Sequence, residues 1–250
     1  MIKTILLLSI LIFSGLNNAN STNSFVSEIE SAHKKEEFLS KKAISFDIDV
    51  FFGGNQAFKG KVTMLTNSTR IRMDMEDGVS LIYDGDKVYQ TPSEAEVKGA
   101  RFGIFTWSYF FLFPYKLSDP GTIWQDYENN KLNGKPYKTQ KLTFDKGVGD
   151  SPDDWYIVYA DTDSNIVKYS AYIVTLFQAK EEAEKDPHAI EYSNYQVVDG
   201  IPISTRWEFW GWKNDKGLTD NLGYADLTNI QFINVEPGFF SKPENSKIIE

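Results

Sequence analysis

An aromatic segment at residues 102–115 places the strongest constraint on how this chain can fold. Eight of its fourteen residues are aromatic. A solvent-facing segment cannot carry so many rings, and a helix here would be apolar on every side, with no polar stripe to turn toward water. The segment must therefore be buried. We predict a helix over residues 104–113 that ends at Pro114, although a strand in a two-layer core would also bury these rings.

Period-two alternation dominates the chain between residues 43 and 235. In the first strand, Phe46, Ile48 and Val50 alternate with Asp47 and Asp49, so the three apolar side chains are expected on the inner face and the two carboxylates in water. Short Gly- and Asn-containing turns join the successive strands, which predicts antiparallel neighbours. The pattern indicates about eleven strands, more than a small barrel needs, and therefore one strongly curved sheet.

The remaining segments complete a mainly β (α+β) prediction. Ser24–Lys42 has apolar residues near helical spacing, and Ser27 with Glu30 fits a capping box at its start. Residues 177–187 are rich in Ala, Glu and Lys and read as a short exposed helix or a mobile loop. Residues 237–250 are expected to leave the sheet as a tail.

The N-terminus has the pattern of a secretory signal peptide. Lys3 precedes the apolar run of residues 5–13, which is too short for a stable membrane anchor, and small residues lead to Ala19. We therefore expect a signal peptide at 1–19 and a single domain at 20–250. No cysteine is present for lipid attachment or disulfides. The product is expected to be periplasmic or secreted, with no integral membrane segment after cleavage.

The charge balance of the chain and the motifs that it lacks exclude several classes of function. The sequence has 26 basic and 35 acidic residues, so nucleic acid is not an expected partner. Asp161 begins a loop that resembles a calcium site but lacks the glycine and the glutamate that such a loop needs. His33 and His188 are the only histidines, and no phosphate-binding loop or nucleophile elbow is present. We expect no cofactor, no metal and no catalytic residue, although inventory alone leaves a pair of carboxylates for glycoside hydrolysis open.

The order of elements resembles that of the LolA/LolB-type lipoprotein-carrier superfamily. A first meander, an aromatic-rich insertion, a second meander and a closing strand are followed by Glu236-Pro237-Gly238-Phe239-Phe240-Ser241-Lys242-Pro243. More narrowly, the segments 187–192, 199–202 and 207–210 resemble uncharacterised exported proteins of Bacteroidetes. The resemblance implies a half-barrel that wraps an N-terminal helix and the aromatic-rich internal helix around an apolar cavity. Fold alone implies no activity.

Two interpretations of the aromatic residues follow. In the first, the protein is a periplasmic, non-enzymatic binding protein that holds a lipid, acyl chain or other apolar ligand between the sheet and its helices. The predicted ligand-binding residues are Phe105, Trp107, Phe110, Phe111, Phe113, Phe46, Ile48, Val50, Met73 and Trp207. In the second, these rings are plain core, and the protein is an envelope interaction or glycan-binding module with no lipid cavity.

The tryptophans of one strand bear on the second interpretation. Trp207 and Phe209 should lie on one face of the sheet, with Trp210 and Trp212 on the other. The outer pair could stack on a sugar ring or pack under the N-terminal helix. The expected partners are thus a lipid or acyl-chain ligand and an envelope protein.

Overall fold

The computed structural model describes residues 23–250. Within this range, thirteen strands form one antiparallel sheet in the order β15-β5-β4-β3-β2-β1-β14-β13-β12-β11-β10-β9-β6, and β7 and β8 form a separate ribbon. The strands are β1 Ala43–Phe52, β2 Asn55–Leu65, β3 Ile71–Met75, β4 Ser80–Tyr83, β5 Val88–Thr91, β6 Thr122–Asp126, β7 Lys131–Leu132, β8 Lys135–Pro136, β9 Lys138–Phe144, β10 Tyr156–Ala160, β11 Val167–Tyr172, β12 His188–Val198, β13 Ile201–Lys213, β14 Gly217–Ile233 and β15 Lys247–Ile249. The helices are α1 Ser24–Ala32, α2 Lys35–Ser40, α3 Ala100–Leu112 and α4 Lys180–Ala183, with a 3₁₀ turn at Phe113–Tyr115.

The mainly β prediction of one large, curved, open sheet is confirmed. The sheet has thirteen strands rather than the eleven expected, because β6 and β15 are five residues or shorter and carry little periodic signal. β14 begins at Gly217 and is seventeen residues long. Its polar first half is held in the sheet by pairing with β13. The C-terminal tail likewise returns to the sheet, where β15 pairs with β5.

The register predicted for β1 is confirmed. Phe46, Ile48 and Val50 are buried in the main core. Asp47 lies on the other face, where it accepts a hydrogen bond from Asn229 and pairs with Lys61. The alternation of the sequence therefore orients the strand at the centre of the sheet.

The N-terminal helix is broken in two, contrary to the single helix expected over Ser24–Lys42. Lys34 has a left-handed backbone (φ 60°, ψ 46°) between α1 and α2. Asn23, not Ser27, caps α1, since its side chain accepts a hydrogen bond from the Phe25 amide. The break turns α2 so that Phe38 is fully buried beneath α3.

Helix α3 confirms the helical prediction for the aromatic segment and lies against the inner face of the sheet. Phe111 stacks on Phe46 with 4.4 Å between ring centroids. The Tyr192 hydroxyl on β12 donates a hydrogen bond to the Phe110 carbonyl oxygen, 3.1 Å away, which satisfies one of the free carbonyls at the end of the helix. Pro114 lies within the 3₁₀ turn that follows.

A second, smaller core occupies the opposite face of the sheet. Trp212 is buried there and packs edge-on against Trp155, with 6.1 Å between ring centroids. The predicted division of the tryptophans between the two faces is confirmed. The expectation that the N-terminal helix covers the outer pair is wrong, however. Ala183 of α4 and Leu132 of the β7–β8 ribbon pack there instead.

The predicted signal peptide at 1–19 lies outside the described residues. In residues 23–250, no helix has the length and apolar character needed to cross a membrane.

Candidate functional site

A cavity of about 520 Å³ lies alongside α3, between the two arms of the curved sheet. The first meander contributes Ile71 and Tyr83 to its wall, and the second contributes Phe144 and Tyr156. This volume falls in the range of small-molecule sites, about 300–1,000 Å³. The cavity is therefore large enough for a ligand and is walled mainly by apolar and aromatic side chains.

Two faces of α3 have different environments. Phe102, Phe105 and Tyr109 line the cavity, and their spacing of three and four residues places them on one side of the helix. Phe110 and Phe111 face the sheet and are about 5% exposed. The helix thus separates a packed core from a cavity.

The loop that precedes β10 and the segment that follows α3 form another part of the cavity wall. Gly121, with φ +86°, approaches Val148 so closely that a Cβ there would lie 2.5 Å from the valine Cγ2. Only glycine tolerates both the backbone conformation and this approach. Trp124 fixes the same segment, since its Nε1 donates to the Leu117 carbonyl oxygen at 2.8 Å.

Of the ten residues predicted to bind a ligand, Phe105 lines this cavity. Trp107 is partly buried and packs against Phe58 and Phe209. The other eight are buried in the core between α3, the sheet and the N-terminal helices: Phe110, Phe111, Phe113, Phe46, Ile48, Val50, Met73 and Trp207.

The space between α3 and the centre of the sheet is nearly filled. A void of about 10 Å³ remains beside Phe111 and Trp207, which is no more than one water molecule needs. Trp107, Phe110, Phe111 and Phe113, which were expected to border a cavity, are absent from the lining of the large one, because the sheet fills their side of the helix.

Sequence reasoning missed Tyr83, Tyr109, Phe144, Asp154 and Tyr156 as lining residues. Tyr109 could have been found, because it follows Phe105 by four residues and therefore shares its helical face. The others come from strands and loops whose approach to α3 is set by the curvature of the sheet, which no local pattern encodes.

Both cationic side chains of the wall are held in ion pairs. Arg101 donates from Nε and Nη2 to the two carboxylate oxygens of Asp150, at 2.7 and 2.9 Å. Lys116 lies 2.5 Å from an Asp119 carboxylate oxygen and also donates to Ser68. Their positive charges are thus largely compensated by the protein itself.

Asp154, Tyr109 and Tyr156 line the cavity, and Tyr172 packs against Tyr156 with 5.9 Å between ring centroids. Burial raises the pKa of the Asp154 carboxyl, although hydrogen bonds from Thr175 act in the opposite direction. Burial also raises the pKa of Tyr109, Tyr156 and Tyr172, and the negative charge of Asp154 adds to this effect. These phenols remain protonated near neutral pH and can donate hydrogen bonds.

No metal centre is evident in the described part of the chain, where no three His, Asp or Glu side chains are grouped as metal ligands. The Asp161 loop is a hydrogen-bonded turn, since the Asp161 carboxylate accepts from the Ser164 amide and hydroxyl. His33 is buried, and its Nε2 accepts from the Val167 amide at 3.1 Å. Trp212, 4% exposed, cannot offer its face to a sugar.

Comparison with solved structures shows the fold to be LolA-like. A LolA superfamily protein from Nitrosomonas europaea aligns with a TM-score of 0.52 at 10% identity, over 86% of this chain and 97% of that one. A domain from Vibrio parahaemolyticus, described as an outer membrane lipoprotein-sorting protein, aligns with a TM-score of 0.50 at 8% identity, over 86% and 95%. These similarities confirm the predicted superfamily resemblance at the level of fold.

Sequence comparison supplies the family. No curated protein matches the chain. Residues 27–192, which are more than half of the sequence, match a family of unknown function. The chain therefore belongs to DUF6503.

Proposed function

We propose that this protein is a periplasmic or secreted, non-enzymatic binding protein that holds a lipid, acyl chain or other apolar ligand in the cavity beside α3. The observation that carries the proposal is the cavity itself, about 520 Å³ in volume and walled by Phe102, Phe105, Tyr109, Phe144 and Tyr156. Apolar ligands bind through buried area, worth about 25 cal/mol per Å², so such walls need few polar groups.

The fold and the N-terminus support the location. One structure of similar fold belongs to the LolA superfamily and another is described as an outer membrane lipoprotein-sorting domain, which fits a carrier in the envelope. Processing after Ala19 would leave a chain without the apolar run at 5–13. An envelope protein that delivers or receives the ligand is the expected partner. Mass measurement of the exported protein tests the cleavage.

The binding function can be tested by filling the cavity. Thr106 lines it, so Thr106→Trp should occupy part of the volume and weaken binding of a fluorescent apolar probe by at least about tenfold, or 1.4 kcal/mol. Thr228 is exposed on β14, and Thr228→Trp is the matched control that should bind the probe as the wild type does. Equal binding by all three proteins would refute the cavity as the ligand site.

Ligand carried from the cell gives an independent test. Native mass spectrometry of the purified protein, followed by solvent extraction, should reveal a bound lipid that is depleted in Thr106→Trp. If no apolar molecule co-purifies and no probe binds, the alternative of an envelope interaction module is favoured.

A further inference from the structure

We propose that the ligand has a positively charged polar end, an ammonium or similar cation, which lies against Asp154 and the phenol rings of Tyr109 and Tyr156. This inference rests on the proposed function, and it names the class of ligand: a cationic amphiphile rather than a fatty acid or a phospholipid with an anionic head. Some charged side chains of the cavity wall already have a partner of opposite charge, and others do not.

The wall offers no free cation to an anionic ligand. Arg101 is bound by both oxygens of Asp150, and its guanidinium also lies 5.0 Å from the centre of the Phe105 ring. Lys116 is bound by Asp119 and Ser68. A carboxylate or phosphate would therefore meet cations whose charge is already balanced by a carboxylate of the wall.

Two carboxylates of the wall remain without a cation. Oδ1 of Asp154 accepts hydrogen bonds from the Thr175 amide and hydroxyl, at 2.7 and 2.8 Å. Among residues 23–250, Oδ2 has no hydrogen-bond partner and no Lys or Arg forms an ion pair with Asp154. Asp86, which is exposed at the wall, likewise forms no ion pair with the described residues. The uncompensated charge of the cavity is therefore negative.

Unpaired phenols lie next to this charge. Tyr156 lines the cavity and is only 8% exposed, and its hydroxyl has no hydrogen-bond partner within residues 23–250. Tyr109 lies beside it, with 5.6 Å between ring centroids, and Phe144 packs edge-on against it at 6.0 Å. The Tyr156 hydroxyl is accessible from the cavity and can therefore pair with a ligand or with a water molecule.

Aromatic faces and a carboxylate together select a cation. Ring quadrupoles attract an ammonium group within about 6 Å of the ring centre, and the attraction grows when water is excluded. The same surroundings repel an anionic head, which would face Asp154 in a medium of lowered dielectric. The apolar body of the ligand would then lie against Phe102 and Phe105, which also line the cavity.

The experiment compares three ligands that share one alkyl chain. Dodecylammonium, dodecanoate and dodecanol, each below its micelle concentration, compete with a neutral fluorescent apolar probe at pH 7 and moderate salt. Dodecylammonium should bind at least about tenfold more tightly than dodecanoate, with dodecanol between them. Thr106→Trp should weaken all three, which assigns the binding to the cavity.

Variants then assign the preference to Asp154. Asp154→Asn keeps an oxygen for the Thr175 hydrogen bonds and should remove most of the preference for dodecylammonium while it leaves dodecanol unchanged. Asp49→Asn, the same change on the outer face of β1, should retain the preference. If Asp154→Asn fails to fold, Asp86→Asn, on the exposed part of the wall, should show a smaller loss in the same direction.

The outcomes separate the two proposals. If dodecanoate binds as tightly as dodecylammonium, or more tightly, the cationic ligand is refuted while the binding function stands. The same holds if Asp49→Asn removes the preference as effectively as Asp154→Asn. If none of the three ligands displaces the probe, or if the probe does not bind, the proposed function itself fails.

Discussion

Phe111 of α3 and Phe46 of β1 stack with their ring centroids 4.4 Å apart and their planes 11° apart. Phe46 is fully buried and Phe111 is 5% exposed. This contact joins the internal helix to the central part of the sheet, on the side of α3 that faces away from the large cavity. It therefore belongs to the stability of the fold and not to the ligand site.

Phe111→Ala should lower the free energy of unfolding by about 3–5 kcal/mol, the usual range for removal of a packed Phe ring. Urea denaturation measures the loss. Phe177→Ala is the matched control, because Phe177 is 69% exposed and its removal should change stability by less than about 0.5 kcal/mol. A loss below about 1 kcal/mol for Phe111→Ala would show that the helix is not packed as described.

The sequence identifies the buried segment but not the side of the helix on which the cavity lies. Apolar and polar faces normally reveal how a helix is oriented, and α3 has rings on every side. Phe105 and Phe111 are equally hydrophobic, yet one lines the cavity and the other contacts β1. The difference arises from the curvature of the sheet and from the loop near Val148, which local periodicity cannot predict.

For strand β1, by contrast, local periodicity does predict which side chains face the core. Alternation of Phe46, Ile48 and Val50 with two aspartates predicted the register of β1 because one face is buried and the other contacts water. β6 was missed because Thr122–Asp126 is a short strand at the sheet edge. Its place in the sheet comes from pairing with β9, a contact that is distant in sequence.

Lys34→Gly should stabilise the protein by up to about 1 kcal/mol. Lys34 adopts a left-handed conformation (φ 60°), which costs a residue with a Cβ about 1–2 kcal/mol, whereas glycine adopts it readily but loses more entropy on folding. The Lys34–Glu37 ion pair that is lost is exposed and contributes little. Ser31→Gly, in the exposed face of α1, should instead destabilise by about 0.5–1 kcal/mol. Thermal denaturation of both variants checks the contrast, and destabilisation by Lys34→Gly would contradict the proposed backbone strain.

His33 should make the fold sensitive to acid. Burial, assisted by the charge of Lys168, lowers the pKa of His33 to about 3, whereas an unfolded histidine has a pKa near 6.5. Because the unfolded state binds the proton more readily, the contribution of neutral His33 is complete above pH 6.5 and is lost as the pH falls toward 3.

Between pH 7 and pH 5 the free energy of unfolding should fall by about 2 kcal/mol, because each pH unit below the unfolded pKa costs about 1.36 kcal/mol. Urea denaturation at the two pH values measures it. His33→Gln keeps an acceptor for the Val167 amide without a group that titrates here, so the variant should lose about 2 kcal/mol less between pH 7 and pH 5. An unchanged pH dependence in the variant would assign the acid sensitivity to other groups.

Asp154→Asn should raise the stability of the ligand-free protein at neutral pH. Because burial raises the pKa of Asp154 in the folded state, the charged carboxylate is less favourable there than in the unfolded chain, and its cost is present above the folded pKa. As the pH falls below the unfolded value near 3.9, Asp154 is protonated in both states and the advantage of the variant should vanish. Denaturation of both proteins at pH 7 and pH 3 measures the two differences in the free energy of unfolding.

Asp49→Asn, a change on the outer face, should not reproduce this pattern. If Asp154→Asn is instead less stable at pH 7, the carboxylate serves chiefly to hold Thr175. If it is more stable, the wild-type protein keeps a destabilising charge in its cavity wall, as a site that binds a cation would require.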